Sequence, residues 1–156
     1  MAESRRELIT EAFLAVLDTI APPSYLTTVD TVTRWRLPFS VQKDNTVLIV
    51  KQGEERADRD TSSFGKLNRT MQLLVIVQIR HDPAQDNLAT DTVLNRMEQD
   101  IYHAISADPT LGGLAMDVEY IASSQADIPD GEDMMVQQVL EYQVHYRHRE
   151  GDETQT

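Results

Sequence analysis

The chain has 156 residues, 40% of them apolar, and a formal net charge of −12; that length suits one domain with a substantial core, and that composition excludes a disordered polypeptide. With no cysteine, a disulfide framework and any Cys-ligated metal are excluded, and a reducing compartment fits. The charge is local: residues 82–144 hold thirteen acids and the single base Arg96, whereas residues 1–81 hold eleven bases and ten acids, so the acidic half repels a nucleic-acid backbone instead of gripping it.

In chain order, Leu8, Ile9, Ala12, Phe13, Val16, Leu17 and Ile20 recur at helical spacing and predict an amphipathic first helix. Ser4 with Glu7 three residues on forms a capping box for its start, and Pro22 and Pro23 end it. Met1-Ala2-Glu3-Ser4-Arg5-Arg6 leads into an amphipathic segment and does not read as a signal peptide, and the longest apolar run, 73–77, is far short of the roughly 20 residues that span a bilayer. The expectation is a soluble protein, cytoplasmic where it is made. Thr, Val and Trp are frequent over 27–37, which predicts one extended strand with Pro38 at its end or on a sheet edge. Lys43-Asp44-Asn45 reads as a turn, and 46–52 as a short strand closed by Gly53.

Residues 54–66 carry Glu54, Glu55, Arg56, Asp58, Arg59, Asp60, Phe64 and Lys66 between two strand signals. They predict a long charged hairpin loop, a length that in compact domains goes with function or mobility. The strongest strand follows at 69–81. Met71, Leu73, Val75, Val77 and Ile79 alternate with Thr70, Gln72, Gln78 and Arg80, and Leu74 and Ile76 make the centre apolar on both faces. That pattern predicts a central strand covered on one side and partly on the other.

A second helix is predicted over 90–107, with Val93, Leu94, Met97, Ile101, Ala104 and Ile105 inward and Asp91, Glu98 and Asp100 outward. Asp108-Pro109 stops it and Leu111-Gly112-Gly113 turns the chain out. Leu114, Met116, Val118 and Tyr120 alternate in a strand over 114–120; a loop at 123–133 leads to a last strand over 134–147, where Val136, Leu140, Tyr142, Val144 and Tyr146 share a face. Residues 150–156 hold no apolar side chain and predict a disordered tail. The order α-β-β-β-α-β-β predicts an α+β fold: one domain over 1–149, a mainly antiparallel sheet with two helices packed on one face.

No chemical constellation emerges. His145 and His148 are three apart on a strand and fall on opposite faces, so they cannot share a metal. Asp127, Asp130, Glu132 and Asp133 surround Pro129 and Gly131 without calcium-loop spacing, and read as a solvated turn. Gly112-Gly113 follows a helix, so it is a helix stop and no phosphate cradle. Arg34-Trp35-Arg36 is the one basic and aromatic cluster; it suits a subunit contact, with core packing of Trp35 as the plainer reading. There is no Gly-x-Ser-x-Gly. The expectation is a protein that is not an enzyme and takes no metal or cofactor.

The pieces in order carry a resemblance. An amphipathic helix precedes Val47-Leu48-Ile49-Val50, then Gly53-Glu54 opens a charged stretch, and a long apolar strand ends in Arg80. The second helix ends in Asp108-Pro109-Thr110-Leu111-Gly112-Gly113-Leu114-Ala115, and Tyr142-x-Val144-x-Tyr146-Arg147 closes the chain. From Leu8 to Arg147 the sequence resembles the tail terminator (tail completion, minor tail) proteins of long-tailed bacteriophages. The resemblance implies a structural virion protein at the head–tail junction, assembled in the bacterial cytoplasm. It implies a ring, usually a hexamer, that binds the tail tube protein, stops tube polymerisation and offers a surface to head-completion or neck proteins, while DNA passes through the channel without specific binding.

Placed on this chain, those roles give three sets of residues. Glu54, Glu55, Arg56, Asp58, Arg59, Phe64 and Lys66 form the docking loop toward tube or neck. Asp91, Glu98, Asp100, Asp117 and Glu119 line the channel and repel phosphate. Closing a ring requires heterologous contacts, for which 25–41 and the strand 134–147 are candidates, with Arg34, Trp35, Arg36, Tyr142 and Tyr146 at the subunit interface. Rival readings are a stopper or adaptor of the same junction, an acidic DNA mimic, and a small metal-dependent hydrolase.

Overall fold

The computed structural model describes residues 3–36, 45–59, 65–81, 87–127 and 135–149. Among them are two helices, α1 (Arg5–Leu17) and α2 (Thr90–Ala107), and five strands: β1 (Thr31–Arg34), β2 (Thr46–Arg59), β3 (Lys66–Arg80), β4 (Asp117–Asp127) and β5 (Met135–Arg149). The fold is α+β, in the order read from the sequence. The strands form one sheet, β1-β2-β3-β5-β4, in which β1 runs parallel to β2 and every other neighbouring pair is antiparallel.

Alternation on β3 decides where the core lies. Met71, Leu73, Val75, Val77 and Ile79 are all buried on the face that α1 and α2 cover, joined there by Leu48, Val50, Leu140, Tyr142, Val144 and Tyr146. α1 sits over β1 and β2, and α2 over β4 and β5. Ile9, Phe13 and Leu17 seal one half of this layer; Leu94, Met97, Ile101, Ala104 and Ile105 seal the other. Aromatic edges stitch the two halves together, with Phe13–Tyr142 and Tyr120–Tyr142 centroids each 5.6 Å apart. Among the described residues, the opposite face carries a small apolar patch of Val47, Ile49 and Ile76, against which Trp35 and Val139 pack. The Lys51 ammonium stands 4.8 Å from the centre of the Trp35 ring.

Local signals operate at the helix ends. The Ser4 hydroxyl oxygen accepts from the Glu7 amide at 3.3 Å, which caps α1. Beyond α2 the Asp108 carboxylate accepts from the Gly112 amide at 2.7 Å and the Thr110 hydroxyl at 3.0 Å. Those hydrogen bonds, the Gly112 one foremost, hold the Asp108 carboxyl below the usual aspartate range. Gly112 and Gly113 have φ of 69° and 85°, a region that penalises any Cβ. Arg5 of α1 then donates to the carbonyls of Gly113 and Leu114, at 2.8 and 2.9 Å, fastening this turn to the start of the chain.

Several boundaries differ from the expectation. α1 ends at Leu17, before the prolines, and its buried face takes Thr10 while Leu8 turns outward. The strand expected over 27–37 is only β1, because Thr27 spends its amide and hydroxyl hydrogens on the buried Asp100 carboxylate, at 2.7 and 2.6 Å, instead of on a sheet neighbour. The loop expected over 54–66 is mostly ladder: 55–59 on β2 pair with 67–71 on β3. β4 runs through Ser123 to Asp127, where a loop was expected. The tail beyond 149 and the acidic turn around Pro129 lie outside the described residues, except for Asp127 at the end of β4.

Phe13 is fully buried at the junction of helix and sheet. Phe13→Ala is expected to cost about 3–5 kcal/mol, read as a lowered urea midpoint in equilibrium unfolding.

Candidate functional site

Two surfaces and one buried cluster hold the polar groups that the core does not need. The cluster begins with a bulge. β2 pairs Gln52 with Leu73 and then Glu55 with Met71, so Gly53 and Glu54 stand against Gln72 alone. An extra residue reverses the facing of everything after it. Gln52 and Glu55 therefore both face the helices, whereas Glu54 and Arg56 face the open side. Gly53 occupies the tight point, where an added Cβ would come within 2.0 Å of the Gln72 amide oxygen.

Glu55, its side chain 12% exposed, gathers three donors: Arg6 of α1 at 2.9 Å, Arg69 of β3 at 2.9 Å and the Tyr146 hydroxyl of β5 at 2.6 Å. Burial alone would raise its pKa, but the Tyr146 and Arg69 hydrogen bonds and the two guanidinium charges outweigh it and hold the carboxyl below the usual glutamate range. The same contact, added to burial, pushes the Tyr146 phenol well up. Arg69 also donates to His148 Nε2 at 2.6 Å, and His148 Nδ1 faces the Arg149 carbonyl at 2.8 Å; His148 is 1% exposed.

The open sheet face carries a polar groove of about 330 Å³ between the hairpin arm and β5, lined by Glu54, Arg56, Thr70, Gln72, Glu141 and His145, with Gln143. His145 Nδ1 meets the Thr70 hydroxyl at 3.0 Å, and His145 Nε2 lies 3.6 Å from the Glu119 carboxylate of β4. Gln72 donates to Glu141 at 2.8 Å. The groove mixes both charge signs and converges on no single atom, which suits a wetted contact surface more than a reaction centre.

The second surface is the β4 side of the molecule. β4 pairs only with β5, so its outer row of backbone groups is free of any described strand. Beside it lies a cleft of about 350 Å³ lined by Asn95, Glu98, Gln99, Tyr102 and Tyr120. Glu98 accepts from the Tyr120 hydroxyl at 2.6 Å and the Gln138 amide at 2.7 Å. Burial and this bond raise the Tyr120 phenol pKa.

The expected site residues separate accordingly. Of the docking-loop set, Glu55 is the centre of the buried cluster, Glu54 and Arg56 are exposed neighbours 3.9 Å apart, and Lys66 is exposed at the start of β3. Asp58 and Arg59 are the last residues of β2, opposite Asn68 and Leu67, and Phe64 lies outside the described residues. The five acids expected around a channel do not share a surface. Asp91 is exposed at the start of α2, and Asp117 and Glu119 are exposed on β4. Glu98 is bound within the α2–β4 cleft, and Asp100 is 4% exposed and holds Thr27.

The expected interface set also divides. Tyr142 and Tyr146 belong to the core, because β5 lies inside the sheet between β3 and β4. Arg34 pairs with Glu7 and Glu11 of α1, Trp35 packs on the open-face patch, and Arg36 is exposed. His145 and His148 fall on opposite faces, as their spacing requires. The polar centre at Glu55 went unread in the sequence; its one signal was a glycine breaking strand periodicity at Gly53.

No protein-family model matches the chain, and no curated protein matches it.

Glu55→Gln is expected to lower stability by about 2 kcal/mol near neutral pH, since two guanidiniums lose their counter-charge. Because the folded pKa of Glu55 lies below its unfolded value, this contribution is complete above the ordinary glutamate range and is lost as the pH falls through that range and then through the folded value. Urea unfolding from about pH 7 to about pH 3 is expected to give a shallower acid slope for the variant than for the parent chain.

Proposed function

We propose that this chain is a self-assembling cap of a long-tailed phage tail: a ring of copies on the last ring of the tail tube, at the junction between head and tail. In this reading it binds the tube protein, ends tube growth and presents its other surface to a head-completion or neck protein. It is no enzyme and uses neither cofactor nor membrane.

One observation supports the reading beyond the sequence resemblance: β1 and β4 stand at the two ends of the strand order among the described residues, and their directions are complementary. β1 runs with β2, β2 against β3, β3 against β5 and β5 against β4. In a ring made by rotation, β4 of one copy therefore meets β1 of the next antiparallel, the pairing that main-chain hydrogen bonds favour. The open sheet face then supplies the remaining surface. Asp117 and Glu119 are the acids suited to a channel lining, in which like charge keeps phosphate sliding, whereas Glu98 and Asp100 have structural roles. Glu54, Arg56 and Lys66 at the hairpin arm suit docking to tube or neck.

Purified chain mixed with tail-tube subunits is expected to give tubes of fixed length with a density at one end in electron micrographs. Tubes that keep growing uncapped would exclude the terminator role, and binding only to completed heads would favour a stopper or adaptor.

A further inference from the structure

The cleft between α2 and β4 has the chemistry of a receptor for a basic side chain. Its walls are two tyrosine rings, Tyr102 and Tyr120, set edge to face with centroids 6.1 Å apart and planes at 87°. Tyr102 is 54% exposed although it is a large aromatic on a packed helix. The Glu98 carboxylate sits among these walls, and each of its oxygens accepts one bond from its own chain, from Tyr120 and from Gln138. A carboxylate oxygen has room for a second donor. Behind it, the Gln138 amide oxygen and the Tyr142 hydroxyl are buried without a hydrogen-bond partner, so the region has unused acceptor capacity. A carboxylate flanked by aromatic rings suits a guanidinium, which stacks on the rings and pairs with the acid at once.

We infer that this cleft receives Arg36 of a neighbouring copy of the chain. The inference rests on the ring reading above and names its contact. Three observations point to this occupant. The first is charge: the cleft belongs to the acidic segment, in which residues 82–144 hold thirteen acids and one base, while Arg36 is a cation from the nearly balanced segment 1–81, with eleven bases and ten acids. The second is position. Arg36 lies two residues beyond β1, the edge strand that meets β4 in a continued sheet. The third is facing: Val32 packs into the helix-side core and Arg34 pairs with Glu7 and Glu11 of α1. Extended alternation carries Arg36 to the same side, the side on which the α2–β4 cleft opens. Arg36 is exposed and forms no ion pair with a described residue, whereas Arg34 is already committed to α1.

A head-to-tail contact of this kind makes a decisive experiment possible, because each copy contributes a different half. Arg36→Glu keeps an intact cleft, and Tyr102→Ala keeps an intact arginine; both positions are exposed, so both variants are expected to unfold in urea like the parent. Each variant alone is expected to self-associate about thirtyfold or more weakly, the loss typical of an interface anchor, by light scattering and native mass spectrometry on tube ends. Mixed one to one, they are expected to give dimers, since one junction of the pair is whole and the other doubly broken.

Unchanged assembly of both variants would overturn the inference while leaving the ring standing. Loss with Tyr102→Ala but not Arg36→Glu would overturn Arg36 as occupant and point to a basic side chain of another protein. A parent chain that stays single even in the presence of tube ends would fail the ring reading itself, and this contact with it.

Discussion

Parity along a strand governs this molecule. The sheet has one face sealed beneath two helices and one face left open, so every strand residue is committed inward or outward by its number alone. Met71 to Ile79 obey that rule without interruption on β3, and the register of β2 and β5 follows from it. The bulge at Gly53 and Glu54 is the place where the rule is reset. Its extra residue turns Glu55 under α1 and sends Glu54 and Arg56 out, so the hairpin arm acquires an inner polar tether and an outer charged rim from the same few residues.

Polar groups beneath the helices act as fasteners between elements far apart in sequence. Glu55 joins α1, β2, β3 and β5; Asp100 holds the chain before β1 against α2; Glu98 links α2 to β4 and β5. A buried carboxylate with its donors in place is costly to strand and so specifies one arrangement, whereas a purely apolar layer could slide. None of these three carboxylates lies on β1, and none is part of the β4 backbone ladder. In the ring proposed above, these fasteners would hold the middle of the sheet while the end strands β1 and β4 meet the neighbouring copies.

The class of the fold and the order of its elements were legible in the sequence because they rest on local periodicity. The stripe of the second helix and the alternation of β3 and β5 each extend over several turns or pairs. What the sequence concealed lies in long-range pairing. Nothing local marks Asp100 as an inward residue, since its partner Thr27 is 73 positions away. Charged residues at 54–59 look like a loop until β3 is laid beside them. Likewise Tyr142 and Tyr146 suggest an interface only while the strand holding them is imagined at an edge. The candidate contacts were therefore half visible: Arg36 could be named from sequence, but its opposite number could not, because the α2–β4 cleft exists only once β5 has brought Tyr120 beneath α2.

The chain contains one tryptophan, and it sits on the open face beside the β1 edge with the Lys51 ammonium against its ring. An indole held next to a cation is a natural optical beacon, because its emission responds to the field and water around it. Intrinsic fluorescence excited on the red side of the tyrosine absorption thus reports on one corner of the molecule. That corner adjoins the strand through which copies would meet, so assembly can be followed by light without attaching a label.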